Sequence, residues 1–111
     1  SDVAAIPSSW SADGKVLLYT QLDPETLSDI WLLPLDGDRK PTPFSQSPFN
    51  ELSPKFSPDG RWVAYQSNEY DKNEIYVQTF PAGGGKWQVS TGGGHTPHWR
   101  SDGKELFYAS P

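Results

Sequence analysis

The two histidines of this sequence, His95 and His98, are the side chains best suited by type to bind a metal ion. Residues three apart in a strand point to opposite faces of the sheet, so the two histidines could bind one ion only if they lay in a loop. No third ligand lies near them in the sequence. The spacing therefore predicts no metal site, and both histidines are interpreted as ordinary residues at the start of a strand.

Acidic residues and glycine runs are the next candidates for chemistry. Two polar segments carry the acidic residues Asp23, Glu25, Asp29, Glu69, Asp71 and Glu74. Their spacing lacks the ladder of oxygen ligands and the glycine of an EF-hand, so we interpret them as solvated loop charges. The glycine runs 83–85 and 92–94 precede no helix and lack the Lys-Ser/Thr of a P-loop, which predicts turns.

Several classes of protein are excluded by composition. The chain has 111 residues, no cysteine and a formal net charge of −5, which argues against thiol chemistry and against nucleic-acid binding. No apolar run approaches the roughly 20 residues of a membrane span. No Gly-x-Ser-x-Gly elbow occurs, and the serines have no evident His/Asp partners. We therefore predict a protein that is not an enzyme and needs no cofactor.

An internal repeat organises the chain. Three segments align without gaps at spacings of 46 and 43 residues: Trp10-Ser-Ala-Asp-Gly-Lys-Val-Leu-Leu-Tyr19, Phe56-Ser-Pro-Asp-Gly-Arg-Trp-Val-Ala-Tyr65 and Trp99-Arg-Ser-Asp-Gly-Lys-Glu-Leu-Phe-Tyr108. Two further motifs repeat at an offset of 45, since 29–35 matches 74–80 and 42–45 matches 87–90. Three motifs that share one period indicate a repeat architecture.

Each repeat is predicted to form four short antiparallel strands. The Asp-Gly pairs predict hairpin turns between the first and second strands, because glycine adopts positive φ there and aspartate bonds its own backbone. Longer polar connections are predicted at 23–28 and 68–73. The predicted strands are 6–10, 16–20, 30–35, 42–45, 52–56, 62–67, 75–80, 87–91, 95–99 and 105–109.

A unit of about 45 residues with four such strands is typical of a β-propeller blade. Residues on both faces of the second strand are apolar, as Leu17 and Leu18 illustrate, which fits stacking of neighbouring blades on each side. The all-β chain would hold blade 1 (about 4–46), blade 2 (about 49–91) and a half-blade (about 94–111). Propellers close with about four to eight blades. We therefore expect either the remaining blades of a longer propeller or self-association.

The segments 56–65 and 74–77 resemble the TolB-type, WD-like propeller repeat, and the resemblance covers essentially the whole chain. Segments 68–81 and 86–94 are most similar to propellers attached to bacterial serine/threonine protein kinases. The same repeats occur in TolB and in the lids of prolyl-oligopeptidase-type peptidases. The resemblance implies a scaffold for protein or peptide contact outside the cytoplasm, and it supplies no catalytic residue.

Three functions follow as hypotheses: a non-enzymatic scaffold that binds a protein or peptide, a ligand-sensing domain of a bacterial receptor kinase, and the lid of a serine peptidase. Trp10, Trp31 and Trp99 occupy repeat-aligned apolar positions, which predicts packing between blades. Trp62 and Trp87 stand where the other units have no aromatic residue. Together with Tyr70, His95 and His98, these two form the predicted interaction surface. The residues that align with His98 in the other units are Ser9 and Lys55, so the position of His98 is predicted to be variable and to face solvent.

Overall fold

A computed structural model of the chain describes residues 4–11, 13–23, 27–37, 39–45, 50–69, 72–80 and 84–109, with the backbone alone at 4–6, 23, 27 and 45. Ten strands form three antiparallel sheets, and no helix occurs in these ranges. The strands are β1 (Ala4–Trp10), β2 (Val16–Asp23), β3 (Leu27–Pro34), β4 (Thr42–Ser45), β5 (Glu51–Phe56), β6 (Trp62–Ser67), β7 (Glu74–Thr79), β8 (Lys86–Gln88), β9 (His95–Trp99) and β10 (Leu106–Ala109).

The strand order matches the predicted blades. Blade 1 has the order β1-β2-β3-β4, blade 2 has β5-β6-β7-β8, and the half-blade pairs β9 with β10. In such a meander, successive connections alternate between the two ends of the sheet. The three Asp-Gly turns therefore lie at one end of their blades, which we call the DG end, together with the β3–β4 and β7–β8 connections.

Each Asp-Gly turn is closed by its own aspartate. Asp13 accepts hydrogen bonds from the Ser11 hydroxyl at 2.6 Å and from the backbone N–H of Lys15 at 2.9 Å. Asp59 accepts the equivalent bonds from Ser57 and Arg61 at 2.7 and 3.1 Å. These bonds, the serine bond first, lower the pKa of both carboxyls.

The third turn repeats the backbone bond, because Asp102 accepts from the N–H of Lys104 at 3.0 Å. Arg100 replaces the serine of the other two turns and lies 3.3 Å from the Asp102 carboxylate. Gly14, Gly60 and Gly103 have φ between 72° and 75°. This left-handed backbone suits a residue without a Cβ atom. The predicted hairpin geometry is confirmed in all three repeats.

The main hydrophobic core lies between blade 1 and blade 2. Its buried members are Leu18, Ile30, Phe44, Phe56, Val63, Tyr65 and Tyr76, with Val16, Leu32 and Phe80 packed against them. Phe80 contacts Phe44 of blade 1 at a centroid distance of 6.3 Å and Phe56 edge-on at 5.0 Å. The apolar faces of successive repeats thus pack on one another, which is the contact that a propeller requires.

Polar contacts also join the blades through their first strands. The backbone N–H of Phe56 donates to the Ser9 hydroxyl at 3.0 Å, which ties β5 to β1. The N–H of Thr96 donates to the Gln66 side-chain carbonyl at 3.0 Å, which ties β9 to blade 2. The interpretation of Ser9 as a variable, solvent-facing position is therefore wrong, because its hydroxyl is half-buried between two blades.

A repeated irregularity interrupts the first strands. Ser53 and Thr96 have positive φ of 55° and 53°, and each precedes a fully buried proline, Pro54 or Pro97. The pairing register shifts at the same places. In blade 2 the shift lies between Leu52 and Lys55 of β5, and in the half-blade it lies between Phe107 and Ala109 of β10, which pairs with β9. Ser53 and Thr96 thus share a left-handed backbone in blade 2 and in the half-blade, which the sequence patterns do not predict.

Two expectations about the polar connections need correction. The predicted loop at 23–28 is part of a longer hairpin, because β2 and β3 remain paired out to Asp23 and Leu27. Asp29 and Glu74 are not solvated charges, since both are buried. Glu74 accepts hydrogen bonds from the Ser90 hydroxyl and the N–H of Gly93, which compensates the carboxylate for lost water. Glu25 and Asp71 lie outside the described residues.

Candidate functional site

Three aromatic residues mark the DG end of the blades. Trp10, Phe56 and Trp99 are the last residues of β1, β5 and β9, so the repeat places them at equivalent positions around the chain. Phe56 is buried at 8% exposure because its ring packs in the interface between blades 1 and 2. Trp10 is 58% exposed. Phe56 packs against the preceding blade, and the described residues hold no sheet before blade 1, so the packing of Trp10 between blades stays a prediction.

A cleft of about 300 Å³ opens beside these aromatic residues. All three sheets contribute to it, because its lining comes from the ends of their first strands and from the second Asp-Gly turn. The lining residues are Trp10, Lys55, Phe56, Ser57, Pro58, His98 and Trp99. A concave surface with aromatic walls and a few polar groups is the usual form of a binding site. We call it the DG-end cleft.

Hydrogen bonds hold the walls of the cleft in place. The Trp99 indole Nε1–H donates to the Lys55 backbone carbonyl at 3.0 Å. The Lys55 ammonium donates in turn to the Ser8 carbonyl at 3.2 Å. These two bonds connect the half-blade to blade 2 and blade 2 to blade 1. The cleft is therefore preorganised by the same contacts that join its three sheets.

The charge of the cleft differs from that of the whole chain. Its lining, within the described residues, includes Lys55 and His98 and no acidic side chain. All nine Lys and Arg residues are described, and Lys55 is the one that is half-buried, whereas the other eight are exposed. A basic, partly desolvated group thus lies in a chain of net charge −5.

A second candidate surface lies at the outer strand of blade 2. Trp87 is 50% exposed and packs edge-on against half-buried Trp62, with ring centroids 5.4 Å apart. On the other side of β8, Lys86 contacts the Glu69 carboxylate at 2.7 Å and lies 5.0 Å from the centre of the Tyr76 ring. A cavity of about 220 Å³ adjoins these residues.

The charge of Lys86 is already neutralised within the protein. Partial burial disfavours its charged form, but hydrogen bonds to Glu69 and Tyr65 and their charges outweigh this effect, and the pKa of Lys86 is raised. Lys86 and Glu69 therefore form an internal ion pair. This pairing leaves the outer surface with less capacity to bind a charged ligand than the DG-end cleft has.

The predicted interaction residues do not form one surface. His98 lies in the DG-end cleft, whereas His95 is exposed at the opposite end of β9 and does not line it. Trp62 and Trp87 contact each other on blade 2, and Tyr70 lies outside the described residues. No group of three metal-ligating side chains occurs in the described part of the chain.

The sequence analysis did not assign the cleft residues Trp10, Lys55 and Trp99 to a site. Because Trp10 and Trp99 follow the repeat, the pattern predicts packing for them, and it predicts a variable position for Lys55. The signal that could have found them is their alignment, because Trp10 and Trp99 end equivalent strands and Lys55 aligns with His98 at the repeat spacing of 43. Residues at equivalent positions can contact one another where each repeat packs on its neighbour.

Comparison with solved structures identifies the architecture. A TolB protein of Agrobacterium tumefaciens superposes with a TM-score of 0.84 and 22% identity, over 97% of this chain and 39% of that structure. TolB of Acinetobacter baumannii superposes with a TM-score of 0.78 and 20% identity, over 96% of this chain and 26% of that structure. This chain has the fold of a TolB-type β-propeller. The predicted resemblance to the TolB-type repeat and the all-β blade architecture are confirmed, whereas the similarity to kinase propellers stays a prediction.

Curated proteins with similar sequences give a second comparison. The dipeptidyl-peptidase 5 proteins of Trichophyton schoenleinii and Arthroderma benhamiae are each 28% identical over 87% of this chain. The chain spans 16% of the length of these relatives. No family model matches the sequence. The described residues include no helix that is long and apolar enough to cross a membrane.

Proposed function

We propose that this propeller segment is a non-enzymatic scaffold that binds an extended peptide or a protein loop in the DG-end cleft. The observation that carries the proposal is that Trp10, which is 58% exposed, lies in a cleft of about 300 Å³ built from three sheets. A large aromatic surface beside a hydrogen-bonded wall is a favourable place for an apolar side chain to bury.

The type of groups in the cleft favours binding over catalysis. Lys55 and His98 are present, but no side chain in the lining combines a nucleophile with an oriented base. The Ser57 hydroxyl is engaged, because it donates to Asp59 at 2.7 Å and accepts from the N–H of Trp62 at 3.1 Å. We therefore assign the cleft to recognition and expect no turnover from this segment alone.

Selection of peptides on immobilised protein tests the proposal. A phage-displayed library of unstructured dodecapeptides is selected on the wild-type chain, and the affinities of the selected peptides are measured by isothermal titration calorimetry. Trp10→Ala removes a cleft wall without removing any core residue, and we expect it to weaken binding at least tenfold. Such a loss is typical of an aromatic residue at the centre of an interface.

Trp87→Ala is the matched control, because Trp87 has a similar exposure of 50% and lies on the outer strand of blade 2. We expect this variant to bind the selected peptides as the wild type does. Peptides whose affinity falls with Trp87→Ala and not with Trp10→Ala would place the binding surface on blade 2 and contradict the proposal. Failure to select any peptide would contradict the scaffold function itself.

A second function is favoured by the curated relatives. Similarity to dipeptidyl-peptidase 5 over 87% of the chain supports a role as the propeller of a serine peptidase, where it would restrict access to a hydrolase domain elsewhere in the protein. The reading frame that contains this segment tests it. A hydrolase domain with a Gly-x-Ser-x-Gly elbow would support the peptidase role, whereas a kinase domain with a membrane helix would support the sensor hypothesis.

Closure of the ring belongs to the same proposal. Ten strands in two blades and a half-blade do not complete a propeller, and Phe107 and Tyr108 of β10 are 52% and 39% exposed. We infer that further blades or a second copy cover these rings. Sedimentation equilibrium of the isolated chain separates the alternatives, since self-association predicts a mass that rises with concentration and further blades predict a monomer.

A further inference from the structure

We propose that the DG-end cleft binds a carboxylate group, held by Lys55 and His98 between the indole walls of Trp10 and Trp99. This proposal rests on the proposed function and specifies the chemistry of its ligand. Lys55 and His98 align at the repeat spacing of 43 residues and come from adjacent sheets, β5 and β9. The repeat therefore brings two hydrogen-bond donors of consecutive blades to the same cleft.

Lys55 retains donors for a ligand. Its ammonium group has three N–H bonds and uses one of them on the Ser8 carbonyl at 3.2 Å. In the described part of the chain it forms no ion pair, whereas Lys86 and Arg100 do. Lys55 is half-buried as a residue, and the cleft lining holds no acidic side chain to pair with its ammonium. An anionic ligand would supply that partner, since hydrogen bonds to an ionised acceptor are stronger than those to a neutral carbonyl.

The imidazole of His98 adds a second donor on the neighbouring strand. His98 is exposed and lines the cleft, and an imidazole can donate an N–H in either protonation state. Two donors suit the two oxygens of a carboxylate better than a single neutral carbonyl. Hydrogen bonds to an ionised acceptor are also roughly twice as strong as neutral ones.

The acidic residue that follows the cleft residues in sequence, Asp59, is already paired within its own turn. The Asp59 carboxylate accepts its hydrogen bonds from Ser57 and from Arg61. The Arg61 side chain follows it in the turn and lowers the pKa of Asp59 by its positive charge, after the two hydrogen bonds. The charges of Asp59 and Arg61 thus compensate each other within the turn, and Lys55 supplies the positive charge of the cleft.

A carboxylate can come from a peptide C-terminus or from an acidic side chain, and three probes distinguish these sources. The probes are acetyl-Gly-Pro-Leu-Phe with a free carboxylate, the same peptide as its C-terminal amide, and acetyl-Gly-Pro-Leu-Asp amide. Their dissociation constants are measured with the full chain by tryptophan fluorescence. We expect at least one of the two carboxylate probes to bind about tenfold more tightly than the neutral amide.

Lys55→Gln tests whether the positive charge of Lys55 binds the carboxylate. Lys72→Gln is the control, because Lys72 is exposed in the connection between β6 and β7. We expect Lys55→Gln to reduce the preference for the carboxylate probe to less than about twofold, while Lys72→Gln leaves it unchanged. Circular dichroism and the urea midpoint of each variant show that the fold is retained.

The outcomes separate this proposal from the proposed function. Equal affinity for all three probes, with a loss on Trp10→Ala, would overturn carboxylate recognition and leave peptide binding in the cleft supported. A carboxylate preference that survives Lys55→Gln would also overturn the assignment. No measurable binding of any probe to the wild-type chain would count against both.

Discussion

The indole Nε1–H of Trp99 donates a hydrogen bond to the backbone carbonyl of Lys55 at 3.0 Å, and through it the half-blade is attached to blade 2. Both residues also line the DG-end cleft. One contact thus serves the packing of the repeats and the shape of the candidate site. Any change that loosens the junction between β5 and β9 is expected to alter binding as well.

Trp99→Phe tests the contribution of this bond. The substitution keeps an aromatic ring and removes the donor, so we expect the free energy of unfolding to fall by about 1 kcal/mol. Urea denaturation followed by circular dichroism measures the change. Trp87→Phe, at an exposed position, serves as the control and should change stability by no more than about 0.5 kcal/mol. Equal effects of the two variants would show that the Trp99 bond is not stabilising.

The Asp-Gly turns predict a dependence of stability on pH. The hydrogen bonds from Ser57 and Arg61 lower the pKa of Asp59 in the folded protein. The stability that they contribute is therefore present above the pKa of the unfolded chain, about 4, and is lost as the pH falls through the lower pKa of the folded state. We expect Asp59→Ala to lower the urea midpoint at pH 7, and we expect its difference from the wild type to shrink as the pH falls below about 4.

The exposed residue Asp36 provides the control for this pH series. Asp36→Ala should leave the urea midpoint close to that of the wild type at both pH values. Asp36 also precedes a glycine, Gly37, but within the described residues its carboxylate accepts no hydrogen bond comparable to those of Asp59. If the loss caused by Asp59→Ala is equally large at pH 7 and pH 2, the effect comes from packing, and the carboxylate bonds do not explain it.

Alanine substitutions at Gly60 and Gly92 distinguish the effect of backbone strain on stability from the effect of side-chain crowding. A Cβ atom at either position would meet nothing within 4 Å, but Gly60 has φ of +75°. We expect Gly60→Ala to destabilise the protein by about 1 kcal/mol through the left-handed backbone alone. Gly92→Ala should be neutral or slightly stabilising. Thermal denaturation of both variants measures the difference, and equal melting temperatures would contradict the turn geometry.

Ser90 connects a buried carboxylate to the backbone of blade 2. Its hydroxyl donates to Glu74 and accepts from the N–H of Ile75 at 2.8 Å, and the residue is 1% exposed. Ser90→Ala leaves both groups with one partner fewer, so we expect a loss of about 1–3 kcal/mol in urea denaturation. The neighbouring exposed Thr91 provides the control, and Thr91→Ala should have little effect. A Ser90→Ala variant as stable as the wild type would show that water replaces the hydroxyl.

Much of the fold was predictable because the repeat carries redundant information. The Asp-Gly turn at Asp59 and Gly60 recurs in all three units with the same backbone N–H bond to the aspartate and the same sign of φ. Local chemistry and apolar faces both point to blades, and agreement between them is what specifies a fold. Strand ends were less predictable, as β2 and β3 show, since cross-strand pairing extends them into a polar segment.

Burial of polar groups was harder to predict. Glu74 is a charged residue in a loop-like sequence, yet Ser90 and Gly93 satisfy its carboxylate from another part of the blade. The left-handed backbone at Ser53 and Thr96 has the same origin, because buried prolines and contacts with neighbouring strands override the local preference. These features depend on tertiary contacts that a linear pattern does not contain.

The candidate site was predictable only in part. Attention to residues that depart from the repeat led to Trp62 and Trp87, which do contact each other on blade 2. The DG-end cleft is instead built largely from residues that follow the repeat, among them Trp10 and Trp99. Repetition of an aromatic residue predicts packing, but equivalent positions of successive repeats also lie close to one another and can form one concave surface.

A single cleft formed jointly by three sheets can be tested with the indole N–H signals of the five tryptophans in ¹H–¹⁵N correlation spectra. The signals are assigned by substitution and followed during titration with acetyl-Gly-Pro-Leu-Phe. We predict that the Trp10 and Trp99 signals shift together with one dissociation constant while the Trp87 signal stays in place. Shifts confined to Trp62 and Trp87, or different dissociation constants for Trp10 and Trp99, would contradict it.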